Sequence, residues 1–99
     1  MIVIAPRKLR EHWEKPGRGD SEAPLKAWLE LTEHAEWSSP ADVKDQYRHA
    51  SFVGNDRVVF NIAGNKYRLV VLVHYNKRTL YIRFVGTHRE YDEIDASTI

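Results

Sequence analysis

Residues 57–85 read RVVFNIAGNKYRLVVLVHYNKRTLYIRFV. From Val58 the hydropathy pattern takes the period of two that marks half-buried strands. Three strands are predicted, at about Arg57–Ile62, Tyr67–Tyr75 and Thr79–Val85. Gly64-Asn65 supplies a tight turn between the first two, since both residues tolerate positive φ. Asn76-Lys77, alone or within a four-residue loop, makes the second turn.

Burial selects the register. Pairing Leu69 with Phe84, Val71 with Ile82 and Val73 with Leu80 gathers the apolar side chains on one face. A slip of one residue would place Leu80, Ile82 and Phe84 beside Arg68 and His74, and burying an unpaired charge costs several kcal/mol. The same logic sets Val58, Phe60 and Ile62 beside Tyr67, Leu69 and Val71. The opposite face then displays Asn61, Lys66, Arg68, Val70, Tyr81 and Arg83. In this register Arg83 lies across from Val70 and next to Arg68. Two converging guanidinium groups make a phosphate site, because like charges held together are relieved by an anion between them. The plain alternative is two solvated side chains that bend apart.

Downstream, Thr87 and Glu90 match a Thr-x-x-Glu capping box that opens a C-terminal helix near His88. His88 and Tyr91, three residues apart, share one face of that helix. The positive end of the helix dipole favours the neutral, proton-accepting ring of His88, and Asp92 either opposes that effect or orients the ring. Free amides at such a terminus also welcome a phosphate. The alternatives are a plain surface histidine and a tyrosine that only packs the helix on the sheet.

Upstream, Ile2 to Ile4 suit a short strand, and Pro6 suits the first turn of a helix with Leu9 and Trp13 on one face. Pro16-Gly17 stops it. Asp20 or Ser21 can cap a second helix carrying Leu25, Trp28, Leu29 and Thr32 on one stripe. Ser39-Pro40 opens a short third helix toward Tyr47, and Arg48 to Asp56 reads as loop. The expected class is α+β: a single domain over residues 1–99, an antiparallel sheet with the N-terminal helices packed on one face, and a short C-terminal helix.

The 99 residues, 42% apolar, allow one modest core. The chain has no cysteine, which excludes disulfides and thiolate metal sites. The apolar start ends at Pro6, too short for a signal peptide or membrane span, so a soluble cytoplasmic protein without membrane partners is expected. Net charge is +1, but its distribution is uneven. Between Arg57 and Arg89 lie seven basic residues and no Asp or Glu, whereas the last ten residues hold four acids and no base. A locally basic block suits a polyanion such as RNA; ordinary solvated strands would also explain it. His12 and His34 fall in charged helical stretches, His49 in the loop, and His74 near a hairpin end. No His, Asp and Glu cluster has metal-ligand spacing, so neither metal nor cofactor is expected.

The run Val59-Phe60-Asn61-Ile62-Ala63-Gly64-Asn65-Lys66-Tyr67-Arg68-Leu69 resembles the central signature of the HigB-type toxins of the RelE superfamily. So does Tyr81-Ile82-Arg83-Phe84-Val85-Gly86-Thr87-His88-Arg89-Glu90-Tyr91-Asp92. The resemblance is strong over roughly Val58 to Asp95 and weaker, through helix order and the Trp37-Ser38-Ser39-Pro40 break, before it. It implies a RelE-like fold and an mRNA interferase, usually acting on mRNA engaged with the ribosome and encoded beside a helix-turn-helix antitoxin of the HigA type. Operator DNA would be met only through that antitoxin. It also implies metal-free cleavage by attack of the ribose 2′-hydroxyl, with Arg68 and Arg83 on the phosphate, His88 and Tyr91 in proton transfer, and Lys66, Asn61 and Arg89 on the RNA backbone. Lys66 could alternatively face transition-state charge. Two rivals keep the fold: a ParE-like gyrase poison, against which the His88/Tyr91 pair speaks, and a catalytically silent module that only engages antitoxin and operator. Retention of Arg68, Arg83, His88 and Tyr91 together speaks against the latter.

Overall fold

Val58, Phe60 and Ile62 stand opposite Val71, Leu69 and Tyr67, in the register expected from burial. The computed structural model describes residues 1–99. In chain order the elements are β1 (Ile2–Ile4), α1 (Arg7–Trp13), a 3-10 turn (Gly19–Ser21), α2 (Glu22–His34), α3 (Pro40–Gln46), β2 (Ser51–Gly54), β3 (Arg57–Ile62) and β4 (Tyr67–His74). A second 3-10 turn (Tyr75–Lys77), β5 (Thr79–Thr87) and α4 (His88–Asp92) complete it. The class is α+β. No helix is long and apolar enough to cross a membrane.

The five strands form one sheet in the order β1-β5-β4-β3-β2. It is mixed rather than wholly antiparallel, because β1 runs parallel to β5. Parallel neighbours need a long connection, and three helices and a strand meander lie between these two. β2 is a further correction. It pairs antiparallel with β3 where the sequence suggested loop, and Gly54, Asn55 and Asp56 make the reversal at φ 95, 51 and 62°. The β3–β4 turn spans Ala63 to Lys66, with positive φ at Ala63 and Gly64 rather than at Gly64 and Asn65.

The helices cover the face predicted. Leu9, Leu25, Trp28 and Val43 are buried against Phe60, Leu69, Val71, Leu80 and Ile82. Phe60 anchors this layer, its ring centroid 5.4 Å from that of Trp28 and 5.0 Å from that of Tyr47. Each such side chain contributes roughly 1.5–3 kcal/mol by leaving water. Neither Asp20 nor Ser21 caps α2 with its side chain. Other partners take both: Asp20 accepts from the distant Tyr67 hydroxyl at 2.7 Å, and Ser21 donates to the nearby Arg18 carbonyl at 2.7 Å.

The register of β4 against β5 departs from expectation in one place. Val73 faces Leu80 and Val71 faces Ile82, as predicted. A bulge then intervenes, so that Phe84, not Arg83, stands across from Val70, and Gly86 across from Arg68. One extra residue on β5 reverses every following side chain. Val85 therefore joins the helix-covered core, and Phe84 turns to the opposite face. That face is itself partly covered. Val59, Val70 and Ala96 form a second small core, packed by Val53, Phe84, Tyr91 and Ile99. Val70, expected on display, is fully buried there. The bulge supplies Phe84 to this cluster, and so gives α4 an apolar seat.

Candidate functional site

Helix α4 is five residues long, too short to stand by propensity alone. Its first turn is fixed by the predicted capping box. The Glu90 amide donates to Thr87 Oγ1 at 3.2 Å, and the Thr87 amide donates to Glu90 Oε1 at 2.9 Å. Tyr91 settles on the second core, its ring 6.5 Å from that of Phe84. Into the space beside α4, β4 delivers Arg68. The Arg68 Cζ atom lies 4.8 Å from the centre of the Tyr91 ring, and Nε lies 3.4 Å from His88 Nε2. Asn65, from the β3–β4 turn, places Oδ1 3.1 Å from the same His88 nitrogen.

The two partners of His88 Nε2 differ in kind. Arg68 Nε–H can only donate, so its contact requires His88 Nε2 to be unprotonated. Asn65 Oδ1 can only accept, so as oriented here it pairs with Nε2–H. The two contacts call for opposite states of that nitrogen, so only one of them is a hydrogen bond at a time. The guanidinium is fixed from its flank by an aromatic ring, and an anion resting on Arg68 would lie within reach of both His88 and Tyr91.

A second set of contacts holds α4 in place from the far end of the sequence. Arg18, in the loop after α1, donates from Nη1 and Nη2 to the two carboxylate oxygens of Glu90, at 2.9 and 3.0 Å. The Arg18 guanidinium, aided by the Thr87 amide, holds the Glu90 carboxyl at about 2, well below the ordinary 4.5. Glu90 lies close to the sheet at Gly86: a Cβ there would sit 2.7 Å from Glu90 Oε1 and 2.6 Å from Phe84 Cζ, so those side chains would have to shift. Behind Arg18, Ser21 accepts from His12 Nδ1 at 2.9 Å, because the Ser21 hydroxyl proton is already given to the Arg18 carbonyl. His12 is only 2% exposed and Nε2 has no partner. Burial, with the charges of Arg18 and Lys15, lowers its pKa to about 4.

The sequence-predicted residues separate into two groups. Arg68, His88 and Tyr91 are brought together. Arg83 is not placed beside Arg68: it is the extra residue of the bulge, exposed, with its guanidinium 5.5 Å over the Tyr81 ring. Tyr81 pairs with Leu72, four residues along β4 from Arg68, a separation of about 13 Å at the rise of a strand. The expected juxtaposition assumed an unbroken ladder. Lys66 is drawn to Asp20 in the helical layer, and this bond pulls the Asp20 carboxyl below its usual range, with the Tyr67 hydroxyl adding to it. Asn61 is exposed and faces Arg68 across the β3–β4 ladder, and Arg89 is exposed beside His88. Nowhere do three or more His, Cys, Asp or Glu side chains converge as metal ligands would.

Sequence reasoning assigned Asn65 only to a turn and Glu90 only to a cap. It gave no place to Arg18, whose partner is 72 residues away. His12 did carry a legible signal: with Leu9 it shares the buried side of α1 at the i, i+3 spacing.

The HigB toxin family, described as the RelE-like toxic component of a toxin-antitoxin system, matches residues 21–94 of this chain. The mRNA interferase toxin HigB of Escherichia coli strain K12 is 50% identical over 34 residues, which is 34% of this chain and 33% of that protein. The mRNA interferase HigB of Shigella flexneri gives the same identity and coverage. The matched stretch thus spans about a third of these relatives.

Proposed function

The chain belongs to the HigB toxin family, and from that premise we propose that it is an endoribonuclease with a RelE-like fold, the toxic half of a toxin–antitoxin pair. Its substrate is mRNA, engaged with the ribosome in the bacterial cytoplasm. A helix-turn-helix antitoxin of the HigA type silences it and alone links it to operator DNA. The observation that carries this reading is the placing of Arg68 against both His88 Nε2 and the Tyr91 ring.

The chemistry is transesterification. The ribose 2′-oxygen attacks the adjacent phosphorus, the bond to the 5′-oxygen breaks, and a 2′,3′-cyclic phosphate and a 5′-hydroxyl result. One proton leaves the 2′-hydroxyl and one reaches the departing oxygen, and His88 and Tyr91 divide these transfers. Arg68 holds the phosphate and the charge that develops on its equatorial oxygens. Asn65 orients the His88 ring. Asn61, across the ladder from Arg68, Arg89, beside His88, and Arg83, farther out, steer the RNA strand. Lys66, held by Asp20, contributes charge at the rim.

The test is single-turnover cleavage of mRNA on programmed ribosomes, with binding measured in parallel and folding checked for each variant. Arg68→Ala should slow cleavage by roughly 100-fold or more, the scale of one lost electrostatic contact. His88→Ala and Tyr91→Phe should each slow the chemical step by about 100- to 10,000-fold and change binding far less. Folded variants of all three that cleave at the normal rate would remove the ribonuclease assignment and favour a poison of another target, or a silent antitoxin-binding module.

A further inference from the structure

β2 covers β3 only as far as Val59, so Phe60, Asn61 and Ile62 have β4 on one side and no strand on the other. Two cavities, of about 350 and 300 Å³, open along this bare edge, and both are bounded by Tyr47 and Asn61. Arg48, His49 and Gly64 extend the wall of the first; Trp28 and Ala63 line the second. Neither has a carboxylate in its lining. The indole of Trp28 is 3% exposed, and its Nε1–H has no partner.

The place of this cleft relative to the candidate site is set by the sheet. Asn61 is the direct register partner of Arg68, and directly opposed residues lie about 4.5–5.5 Å apart. Gly64, in the cleft wall, precedes Asn65, whose side chain meets His88. The cleft therefore opens along β3, the strand next to the one that carries Arg68, and its rim at Gly64 adjoins the residue that meets His88. We infer that it receives an unpaired nucleobase of the RNA whose phosphate rests on Arg68, and that it sets the base preference next to the cleaved bond.

The chemistry of the walls suits a base. Single-stranded RNA is recognised when unstacked bases lie on aromatic rings and hydrogen-bond through their edges. Tyr47 supplies a half-buried ring, braced by Phe60 at 5.0 Å and Trp37 at 6.1 Å. Gln46, at the rim, has its carbonyl oxygen engaged by Trp37 Nε1 at 2.5 Å, which leaves its NH2 group as a donor of fixed direction. Arg48 and His49 are exposed and add further donors. The absence of carboxylates removes repulsion toward the flanking phosphates.

This inference rests on the ribonuclease reading, and the experiment separates the two. A set of mRNAs on programmed ribosomes, identical except for one base on either side of the cleaved bond, gives kcat/KM for each base. The unaltered protein should prefer some bases at one flanking position by about tenfold or more, the range of one well-made base contact. Arg48→Ala and His49→Ala, exposed and so safe for folding, should each bring that ratio several-fold closer to one. Tyr47→Leu, with a folding check, should do so more strongly. Nucleoside 5′-monophosphates should perturb the Tyr47 ring and the Gly64 amide in NMR spectra. A ratio unchanged in all three variants, with cleavage intact, would overturn the base site and leave the ribonuclease standing. A uniform fall in rate at constant ratio would do the same, assigning the cleft to general attraction or to a protein partner. Failure of the unaltered protein to cleave any of these RNAs would remove both.

Discussion

Glu90→Gln removes one charge and keeps one side-chain oxygen that can accept from the Thr87 amide, so it isolates the charge that Glu90 sets against Arg18. The Glu90 carboxyl lies at about 2 instead of 4.5, which corresponds to roughly 3 kcal/mol of stability at about 1.4 kcal/mol per pH unit. The Glu90 side chain is 38% exposed and that of Arg18 21%, so screening by water and salt brings the pair down to about 1–1.5 kcal/mol. Because folding lowers this carboxyl, its stabilisation is fully present above about pH 4.5 and is lost as pH falls from there toward 2. Thermal unfolding of the two proteins from pH 7 down to pH 2.5 tests this. At pH 7 the variant should melt about 4–12 °C lower, given roughly 4–8 °C per kcal/mol for a domain of this size. The gap should shrink below pH 4.5 and nearly close at the acid end. Arg18→Gln should show the same gap, and the double variant should be no worse than the weaker single one. A gap that persists undiminished at pH 2.5, or additive losses in the double variant, would refute the pairing as the source of α4's stability.

Other outcomes follow from the same contacts. His12, buried neutral at about 4 rather than 6.5, stabilises the fold fully above about pH 6.5, and that share is lost as pH falls toward 4. A folded His12→Leu protein should therefore show a flatter pH dependence between 6.5 and 4, read by urea denaturation, and an unaltered slope would count against the buried ring. Gly86→Ala should cost about 1–3 kcal/mol by overpacking and should weaken protection of the α4 amides in hydrogen exchange before it affects β3; a neutral result would mean that Glu90 is free to move. Arg83→Ala should reduce cleavage by less than about tenfold, the scale of ~1 kcal/mol for an exposed charge. A loss as large as that of Arg68→Ala would show that the bulge does not keep the two arginines apart on the RNA.

The hairpin β3–β4, the capping box and the common helical face of His88 and Tyr91 were legible because each rests on local spacing. Val58, Phe60 and Ile62 alternate, Thr87 and Glu90 stand three apart, and His88 and Tyr91 share a helical face. What escaped was tertiary. The bulge at Arg83 carries no marker, since nothing in Ile82-Arg83-Phe84 forbids a regular ladder. It is selected by the second core, where Phe84 meets Val59, Val70 and Ala96. Strand β2 was hidden because Ser51 to Gly54 is short, largely exposed and leaves only Phe52 and Val53 as apolar signals. Arg18 could not be foreseen from its neighbours, and the bond of Lys66 escaped for a related reason: its partner, Asp20, looked like a helix cap. In both cases the sequence shows a charge, and the fold decides what that charge meets.

In the evolution of this chain, β5 should accept substitutions more readily than changes of length. Deleting Arg83 would restore an unbroken ladder, return Phe84 to the helix-covered side and send Val85 outward. The segment after it would then be drawn back by one residue, about 3.3 Å, with its faces exchanged. Thr87, His88 and Glu90 would keep their identities and lose their addresses. A one-residue gap aligned within Tyr81–Val85 of a homologue would therefore signify more than several replaced side chains. It would mark a descendant whose last helix has been turned away from Arg68.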